Sequence, residues 1–311
     1  MHSDKYSIFI LNALLLLSII VFADQVIGRT LRYLYFKQQS GLYYRTTYAI
    51  DSTKAKMLVF GSSRANHHYV PDIFEDSLNL SFYNTGRDGN FILFNYAVFK
   101  SVINRYTPDI VIFDINNNEL CKDETSYERL SALLPYYRNH KEIHDVVELR
   151  SSFEKYKLLS EIYPFNSSLA TIILGNLELN KTRKLDNNGY VSLHNIIGDT
   201  VLYEIHSMAE VLDQNKINAV TEIIELCNIR NIQLVFIQSP LYAIVNNSAS
   251  IDYFEILDKK NKVVFWNFSK TPELLKTPSF FQDQHHLNND GAIWFSNLLV
   301  QKIKNKVQED S

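Results

Sequence analysis

Short apolar runs alternate with helix-like patterns along most of the chain. Helical spacing of apolar side chains is seen at 90–106 and 215–231, and a final helix is predicted over 288–307. Candidate buried strands lie within residues 57–60, 80–90, 107–120, 232–240 and 262–269. Strands that alternate with helices form parallel sheets covered on both faces. The pattern therefore predicts a three-layer α/β/α domain with about five parallel strands.

This alternation lapses between residues 120 and 205. The segment is too long for a simple loop, and its apolar and aromatic positions favour short helices. We interpret 120–205 as a mainly helical insertion, or cap, that leans over the carboxyl ends of the strands. The domain as a whole is expected to span residues 56–311.

The first apolar run is of a different kind. Residues 7–23 are seventeen consecutive positions without a charge, which is at the lower limit for a helix that crosses a hydrocarbon core. A cleaved signal peptide is the alternative, because Val21 and Ala23 supply small residues before Asp24. The weakly basic start and the length of the run favour an uncleaved transmembrane anchor.

Residues 24–55 are expected to form an amphipathic juxtamembrane stalk at the membrane interface. Apolar side chains share one helical face there, with Arg29, Arg32 and Lys37 interspersed. These three cations outnumber Lys5 on the other flank, a bias that by itself would place the domain in the cytoplasm. An orientation with the domain in the cytosol therefore stays open as one interpretation.

Composition narrows the classes of function. The chain of 311 residues is 46% apolar, and its 31 basic and 34 acidic residues give a net charge of −3, which supplies no surface for nucleic acid. Cys121 and Cys227 lack the spacing of a metal site or a disulfide framework. His67 and His68 are adjacent, so their side chains diverge, and they are interpreted as pocket or structural residues. No cofactor or metal is expected.

Candidate catalytic chemistry follows the predicted strands. Asp283 and His286 are three residues apart ahead of the final helix, a spacing that lets the carboxylate orient the imidazole as a base. Ser63, in "FGSSR" after the first strand, is the candidate nucleophile, because Gly61 permits a tight turn there. His285 is the one neighbour that would replace His286 as the base.

Two further residues are candidates for stabilising an oxyanion. Gly89 follows the second strand and Asn118 follows the third, and an amide of either type suits that task. Asn116 is the rival to Asn118. The simpler interpretations are that Ser63 caps a helix, that Asp283 and Gly89 are turn residues, and that Asn118 is an ordinary loop asparagine.

Together these blocks resemble the SGNH subset of the GDSL hydrolases, named for Ser, Gly, Asn and His in four blocks. The resembling stretches are "GSSR" (61–64), "NTGRDG" (84–89), "PDIVIFDINNNE" (108–119) and "DQHHLN" (283–288). The resemblance implies a flavodoxin-like sheet, with Ser63 as nucleophile, His286 as base and Asp283 as its orienter. It also implies Gly89 and Asn118 as oxyanion donors. Ser62 and "NNNE" depart from the family's Gly-Asp-Ser and Gly-x-Asn-Asp.

The resemblance also suggests a biological setting. Membrane-anchored members add or remove acetyl groups on bacterial exopolysaccharides and cell-wall glycans. It therefore implies a serine esterase or O-acyltransferase that acts on acyl esters of a cell-surface glycan, with polysaccharide-biosynthesis proteins as partners. The expected location is the bacterial inner membrane, single-pass, with an extracytoplasmic domain. The alternative is a catalytically degenerate, membrane-tethered protein for glycan binding or polysaccharide assembly.

Overall fold

A five-stranded parallel sheet forms the centre of the domain. The computed structural model describes residues 2–179, 187–198, 201–206 and 211–309. The strands of the central sheet are β1 (Met57–Phe60), β2 (Phe82–Asn84), β3 (Ile110–Asp114), β5 (Gln233–Gln238) and β7 (Val264–Asn267). A separate two-stranded parallel sheet pairs β4 (Tyr203–His206) with β6 (Ala243–Asn246).

Thirteen α-helices accompany these strands among the described residues. They are α1 (His2–Lys37), α2 (Gly41–Asp51), α3 (Ser63–His68), α4 (Pro71–Leu78), α5 (Ile92–Arg105), α6 (Glu124–Arg129), α7 (His144–Glu148), α8 (Glu154–Lys157), α9 (Leu169–Asn176), α10 (Gln214–Arg230), α11 (Ala249–Lys259), α12 (Pro272–Leu275) and α13 (Asn289–Glu309). Short 3₁₀ helices lie at Leu130–Tyr136, Lys141–Ile143, Tyr163–Phe165 and Pro278–Phe280.

Both faces of the central sheet are buried. Alternate side chains of β1 enter different apolar clusters: Leu58 and Phe60 pack on one face, and Met57 and Val59 on the other. A parallel strand buried on both faces needs a continuous apolar run rather than strict alternation, as seen here. The predicted three-layer α/β arrangement is therefore confirmed. Phe60 stacks on Phe113 of β3 with ring centroids 5.0 Å apart.

The strand order locates the crevice of the sheet. Neighbours run β2-β1-β3-β5-β7, which is the flavodoxin-like order when the five strands are counted along the chain. In such a sheet the chain order reverses between β1 and β3, and the loops after these two strands border an open crevice. Ser63 follows β1, and the asparagine cluster 116–118 follows β3.

The N-terminal helix is long and apolar enough to cross a membrane by length and composition. It continues without a break from His2 to Lys37. The predicted stalk at 24–55 does not lie free at an interface, because Tyr35 is buried in the main apolar cluster and α2 also packs into the domain. Leu31, Leu34 and Tyr35 of this segment pack on the protein core, whereas Val26 and Ile27, nearer the apolar run, are about half exposed.

The insertion contains the expected short helices, α6 to α9, and one element that was not predicted. Strand β4 at its end pairs with β6, which lies some forty residues later along the chain. Residues within 187–198 run past the carboxyl ends of the central strands. There the Val191 N–H donates to the Asn66 carbonyl (3.0 Å) and the Asn289 N–H to the Leu193 carbonyl (2.6 Å).

Candidate active site

A tight turn after β1 presents Ser63. Gly61 has φ +155°, and a Cβ there would lie 2.8 Å from both the Ala65 Cβ and the Asp114 carbonyl oxygen, so only glycine fits. Ser62 is the residue that precedes α3, and its side chain makes no capping hydrogen bond; Ser63 is the first helical residue. The Ser63 hydroxyl is therefore not used as a helix cap.

Ser63, His286 and Asp283 form a continuous hydrogen-bonded chain. The Ser63 Oγ lies 2.7 Å from the Nε2 of His286. Both carboxylate oxygens of Asp283 lie 2.9 Å from the Nδ1 of the same ring. Because a carboxylate only accepts, Nδ1 carries the proton, Nε2 is the acceptor, and the Ser63 hydroxyl donates. This is the protonation pattern that a serine nucleophile and its base require.

Asp283 is held in its charged form. Its Oδ1 also accepts the backbone N–H groups of His285 (2.8 Å) and His286 (3.0 Å). Burial acts to raise the pKa of Asp283, but the hydrogen bonds from the His286 ring and from these two N–H groups outweigh it and lower the pKa from its ordinary value. The carboxylate is therefore ionised across the neutral pH range.

His68 connects the loop of His286 to the helix that begins at Ser63. The Leu287 N–H donates to the Nε2 of His68 at 2.9 Å, so the proton of this ring is on Nδ1, which lies 3.0 Å from the Ser239 Oγ. His68 is the last residue of α3, which begins at Ser63. One neutral imidazole thus connects α3, the loop of His286 and the end of β5.

The neutral state of His68 predicts a dependence of stability on pH. Burial first, and then the nearby charges of His286, Arg64 and His67, lower its pKa well below the ordinary value. In the unfolded chain this ring takes up a proton as pH falls through about 6.5, whereas the folded protein does not. Its contribution to the free energy of unfolding is complete above that pH and declines below it, by up to about 1.4 kcal/mol per pH unit.

His68→Gln removes the titrating group but keeps an acceptor for the Leu287 N–H. Denaturant unfolding of both proteins at about pH 7.5 and about pH 5 measures the contribution, because the stability difference between wild type and variant should shrink at the lower pH. A difference that stays constant between the two conditions would contradict a neutral, buried His68.

The structure places Asn116, and not Asn118, against the nucleophile turn. The Asn116 Nδ2 lies 3.3 Å from the Ser62 Oγ and 2.9 Å from the Glu119 Oε2, and the same carboxylate accepts the Asn116 N–H at 3.0 Å. Asn118 is exposed in the turn that follows. These contacts favour Asn116 over Asn118 for the oxyanion role, and the role of either residue stays a prediction.

Glu119 orients Asn116 by accepting hydrogen bonds from both its N–H and its side-chain amide. Its side chain is fully buried, and burial raises its pKa, although hydrogen bonds from the Asn116 N–H and the Lys216 charge act in the opposite direction. The sequence does not identify Glu119 as a site residue, because a glutamate after a run of asparagines is common in loops.

Gly89 lies in an exposed turn beside α3. Its φ of +70° is a left-handed conformation that glycine adopts without strain. The turn is fixed by two neighbours: the Arg87 N–H donates to the Gly61 carbonyl (3.1 Å), and Asp88 Oδ1 accepts from the Asn66 Nδ2 (2.7 Å). The structure thus brings the Gly89 turn next to the turn of Ser63.

A pair of asparagine variants separates the two oxyanion candidates. We expect Asn116→Ala to lower kcat for ester turnover by about 10²- to 10³-fold, because a preorganised donor is lost. Asn118→Ala is the matched control and should retain wild-type turnover, since its side chain faces solvent. Steady-state kinetics with one aryl ester on all three proteins gives the comparison, and a larger loss in Asn118→Ala would reverse the assignment.

The remaining polar candidates have structural partners. Arg64 is buried; it donates to the carbonyls of Ile115 and Ser239 and lies 3.7 Å from Asp114, so it cannot reach a substrate. His67 Nδ1 lies 2.6 Å from the Val191 carbonyl. Within the described ranges no group of three or more His, Cys, Asp or Glu side chains is arranged to hold a metal ion.

Comparison with known proteins finds only remote similarity. No protein-family model matches the chain, and no curated protein matches it. One solved structure, described as a "putative acylhydrolase" from Bacteroides fragilis, aligns with 87% of this chain and 99% of its own, at 12% sequence identity and a TM-score of 0.41. At that identity no residue role transfers from it, and the chemical case rests on the side chains described above.

Proposed function

We propose that this protein is a serine esterase or O-acyltransferase of the SGNH type. The observation that carries the proposal is the hydrogen-bonded chain from Ser63 through His286 to Asp283 at the carboxyl edge of a parallel sheet. A serine hydroxyl has a high pKa and becomes a nucleophile only with a base in reach. Here His286 contacts the Ser63 hydroxyl, Asp283 orients His286, and the Asn116 amide contacts Ser62, the residue before the hydroxyl.

The proposed reaction proceeds by an acyl-enzyme. His286 Nε2 takes the Ser63 proton as the Oγ attacks the ester carbonyl, and the negative charge on the carbonyl oxygen is stabilised by the Ser63 and Gly89 amides and the Asn116 side chain. The intermediate collapses as His286 returns the proton to the leaving alcohol. Water, deprotonated by His286, then releases the acid; an acceptor hydroxyl in place of water gives acyl transfer.

The side-chain amide of Asn116 already has hydrogen-bond partners, which affects its proposed role in the oxyanion step. Its amide has two N–H groups, and these face Glu119 and Ser62. The contact with Ser62 is the longer of the two at 3.3 Å, so it is the one that an oxyanion would replace. If the Asn116 amide keeps its contact with Ser62 and does not turn to the oxyanion, the site is catalytically degenerate. That result would favour the second candidate function, a membrane-tethered protein for glycan binding or polysaccharide assembly.

The setting that we propose is an acyl group, acetyl in the simplest case, on a cell-surface glycan. It is supported by the apolar N-terminal helix and by the resemblance of the four sequence blocks to membrane-anchored enzymes that handle such esters. In this proposal the chain crosses the bacterial inner membrane once, the domain is extracytoplasmic, and proteins of polysaccharide biosynthesis are its partners. A reporter fused to the C-terminus tests the orientation.

Turnover of p-nitrophenyl acetate tests the enzymatic proposal. The detergent-solubilised full chain is compared with Ser63→Ala and with Ser81→Ala, a control that removes an exposed serine outside the site. We expect turnover in wild type and Ser81→Ala and its loss in Ser63→Ala. Equal turnover in all three proteins would overturn the assignment of Ser63. A folded wild-type protein without turnover would favour the glycan-binding alternative.

A further inference from the structure

A cavity adjoins the candidate active site on the side of the Gly89 turn. It has a volume of about 300 Å³, and its lining includes Asp88, Arg87 and Arg129 together with Tyr35 and Ser168. A cavity of this size accommodates a group as large as one sugar ring. Asp88 and Arg87 belong to the turn that contacts Gly61 and α3, so this turn separates the cavity from the segment that carries Ser63.

Arg87 places an uncompensated positive charge in this wall. The residue is only 5% exposed, yet no carboxylate lies within ion-pair distance of its guanidinium in the described part of the chain. Its Nη1 donates to the Thr46 hydroxyl at 2.5 Å, and its charge lies over the rings of Tyr43 and Phe94, each with the centroid 5.5 Å away. Burying a charge without a counter-charge is costly, and a bound anion would offset that cost.

Arg129 supplies a second cation with no fixed partner. Its guanidinium carbon lies 3.4 Å from the position that a Cβ on Gly89 would occupy, so it borders the turn of the candidate oxyanion donor. Among the described residues, none forms a hydrogen bond or an ion pair with the Arg129 side chain. The cavity lining thus contains two arginines and one carboxylate, Asp88, which already accepts from the Asn66 amide.

We propose that this cavity binds an anionic group, a carboxylate or a phosphate, carried by the acyl-ester substrate. The proposal deepens the esterase function and rests on it. A planar guanidinium binds either anion through two parallel hydrogen bonds, which lysine cannot provide. The guanidinium of Arg129 is available to form them. The anion would compensate the charge of Arg87 and hold the ester beside Ser63. An acidic sugar and a phosphate headgroup share this chemistry.

Binding measurements on an inactive protein test the proposal. The full-length Ser63→Ala chain in detergent is titrated calorimetrically with glucuronate and with glycerol 3-phosphate, beside the neutral controls glucose and glycerol. At least one anion should bind tenfold or more tightly than its neutral counterpart, and Arg129→Gln should weaken it by about tenfold or more, the loss of a charge-assisted contact. Arg230→Gln, on the exposed end of α10, is the control for net charge and should bind as the parent does.

The two anions distinguish the source of the group. Binding of glucuronate alone indicates a carboxylate sugar, and binding of glycerol 3-phosphate alone indicates a phosphate headgroup. If neither anion binds more tightly than its neutral counterpart, or if Arg129→Gln binds the anion as the parent does, the proposal is wrong. Because the protein used lacks the nucleophile, this outcome is separate from the result of the turnover experiment.

A different observation concerns the insertion next to α1. Asp24, the first charged residue after the uncharged run 7–23, accepts hydrogen bonds from the Ser160 hydroxyl (2.5 Å) and from the N–H groups of Glu161 (2.8 Å) and Ile162 (3.3 Å). A Cβ on Gly28 would lie 2.2 Å from the Glu161 Cβ, so the two segments are in close contact. Residues 160–162 are therefore fixed at the level where the apolar run ends.

The segment just before them has exposed apolar side chains. Phe153 is 66% exposed, Tyr156 58% and Leu159 73%, with Lys155 and Lys157 between them. The ammonium of Lys155 lies 5.3 Å from the Tyr156 ring centroid. Aromatic and aliphatic side chains alternating with lysines are typical of surfaces that enter the headgroup region of a bilayer.

We infer that residues 153–159 lie in the headgroup region of the membrane that α1 crosses. The occupant of this surface is a bilayer because the segment is fixed next to the end of the apolar run, where lipid is the adjacent medium. The contact adds a second attachment of the domain to the membrane.

Lipid quenching of a fluorophore tests this contact. Leu159→Cys in the full-length chain is labelled with an environment-sensitive dye and reconstituted into liposomes that contain nitroxide-labelled phospholipid. Ile229→Cys is the matched control, since Ile229 is 76% exposed on α10. We expect strong quenching at position 159 and weak quenching at 229. Equal quenching at the two positions would overturn the inference.

Discussion

Replacing His286 with alanine is expected to lower kcat for ester turnover by about 10⁵- to 10⁶-fold. His286 Nε2 is the acceptor 2.7 Å from the Ser63 hydroxyl, and no other base contacts that hydroxyl among the described residues. Without it the serine keeps its proton, and the leaving alcohol receives none. Ser63→Ala should cause a loss of the same size, and the double variant should be no worse than either single one, because the two residues act as one unit.

His285→Ala is the control for this result. His285 is adjacent to His286 and exposed, and it contributes its backbone N–H, which alanine retains, to the carboxylate of Asp283. Turnover within a few-fold of wild type is expected for it. Circular dichroism and thermal unfolding of all variants establish that each is folded. A His286→Ala protein with substantial turnover, or a His285→Ala protein without it, would contradict the assigned base.

Asp283→Asn is expected to lower kcat by about 10⁴-fold. The aspartate accepts hydrogen bonds from the Nδ1–H of His286 and from two backbone N–H groups, so it fixes both the tautomer and the orientation of the ring. An asparagine NH2 group facing Nδ1 donates a hydrogen bond to it and favours the tautomer with the proton on Nε2, which cannot take the proton of Ser63. The position of the His286 ring is preserved, whereas its ability to take the proton of Ser63 is lost.

The pH dependence of the wild type gives an independent check on Asp283. The pKa of this carboxyl is lowered by its hydrogen bonds, so protonation of Asp283 should limit turnover only at a pH below the ordinary carboxyl range. Steady-state kinetics of Asp283→Asn and of wild type over pH provides both measurements. An Asp283→Asn variant with nearly unchanged kcat would show that the carboxylate does not orient the base.

Much of the fold could be predicted from the sequence. Each of the five central strands lies inside an apolar run that the sequence displays, because strands buried on both faces require continuous apolar residues. The run 57–60 coincides with β1. Asp283 and His286 could also be predicted together, since both lie in one short loop whose spacing directs their side chains to one cavity.

Other features depend on contacts between distant segments. Asn116 is favoured over Asn118 by the contacts that the turn after β3 makes with Ser62 and Glu119, and three consecutive asparagines give no local signal for these contacts. The pairing of β4 with β6 is similarly non-local. His68 has the sequence context of a structural histidine, and its bond to the Leu287 N–H joins residues more than two hundred positions apart.

The packing of α1 also affects how the protein must be prepared. Tyr35 contributes to the main apolar cluster, and Asp24 holds the insertion through three hydrogen bonds. A fragment that begins after α1 would expose this apolar surface and lose those contacts. Removal of the membrane-spanning part alone, with residues from Asp24 onward retained, preserves them, and the full chain in detergent preserves every contact.

The most direct test of the account is covalent capture of the nucleophile. The full chain in detergent is treated with a fluorophosphonate, digested, and analysed by mass spectrometry to locate the adduct. An activated serine attacks phosphorus through its Oγ, so the account predicts one adduct, on Ser63, and none in Ser63→Ala or His286→Ala. Modification of a different serine, or a folded wild-type protein that remains unmodified while it turns over esters, would contradict it.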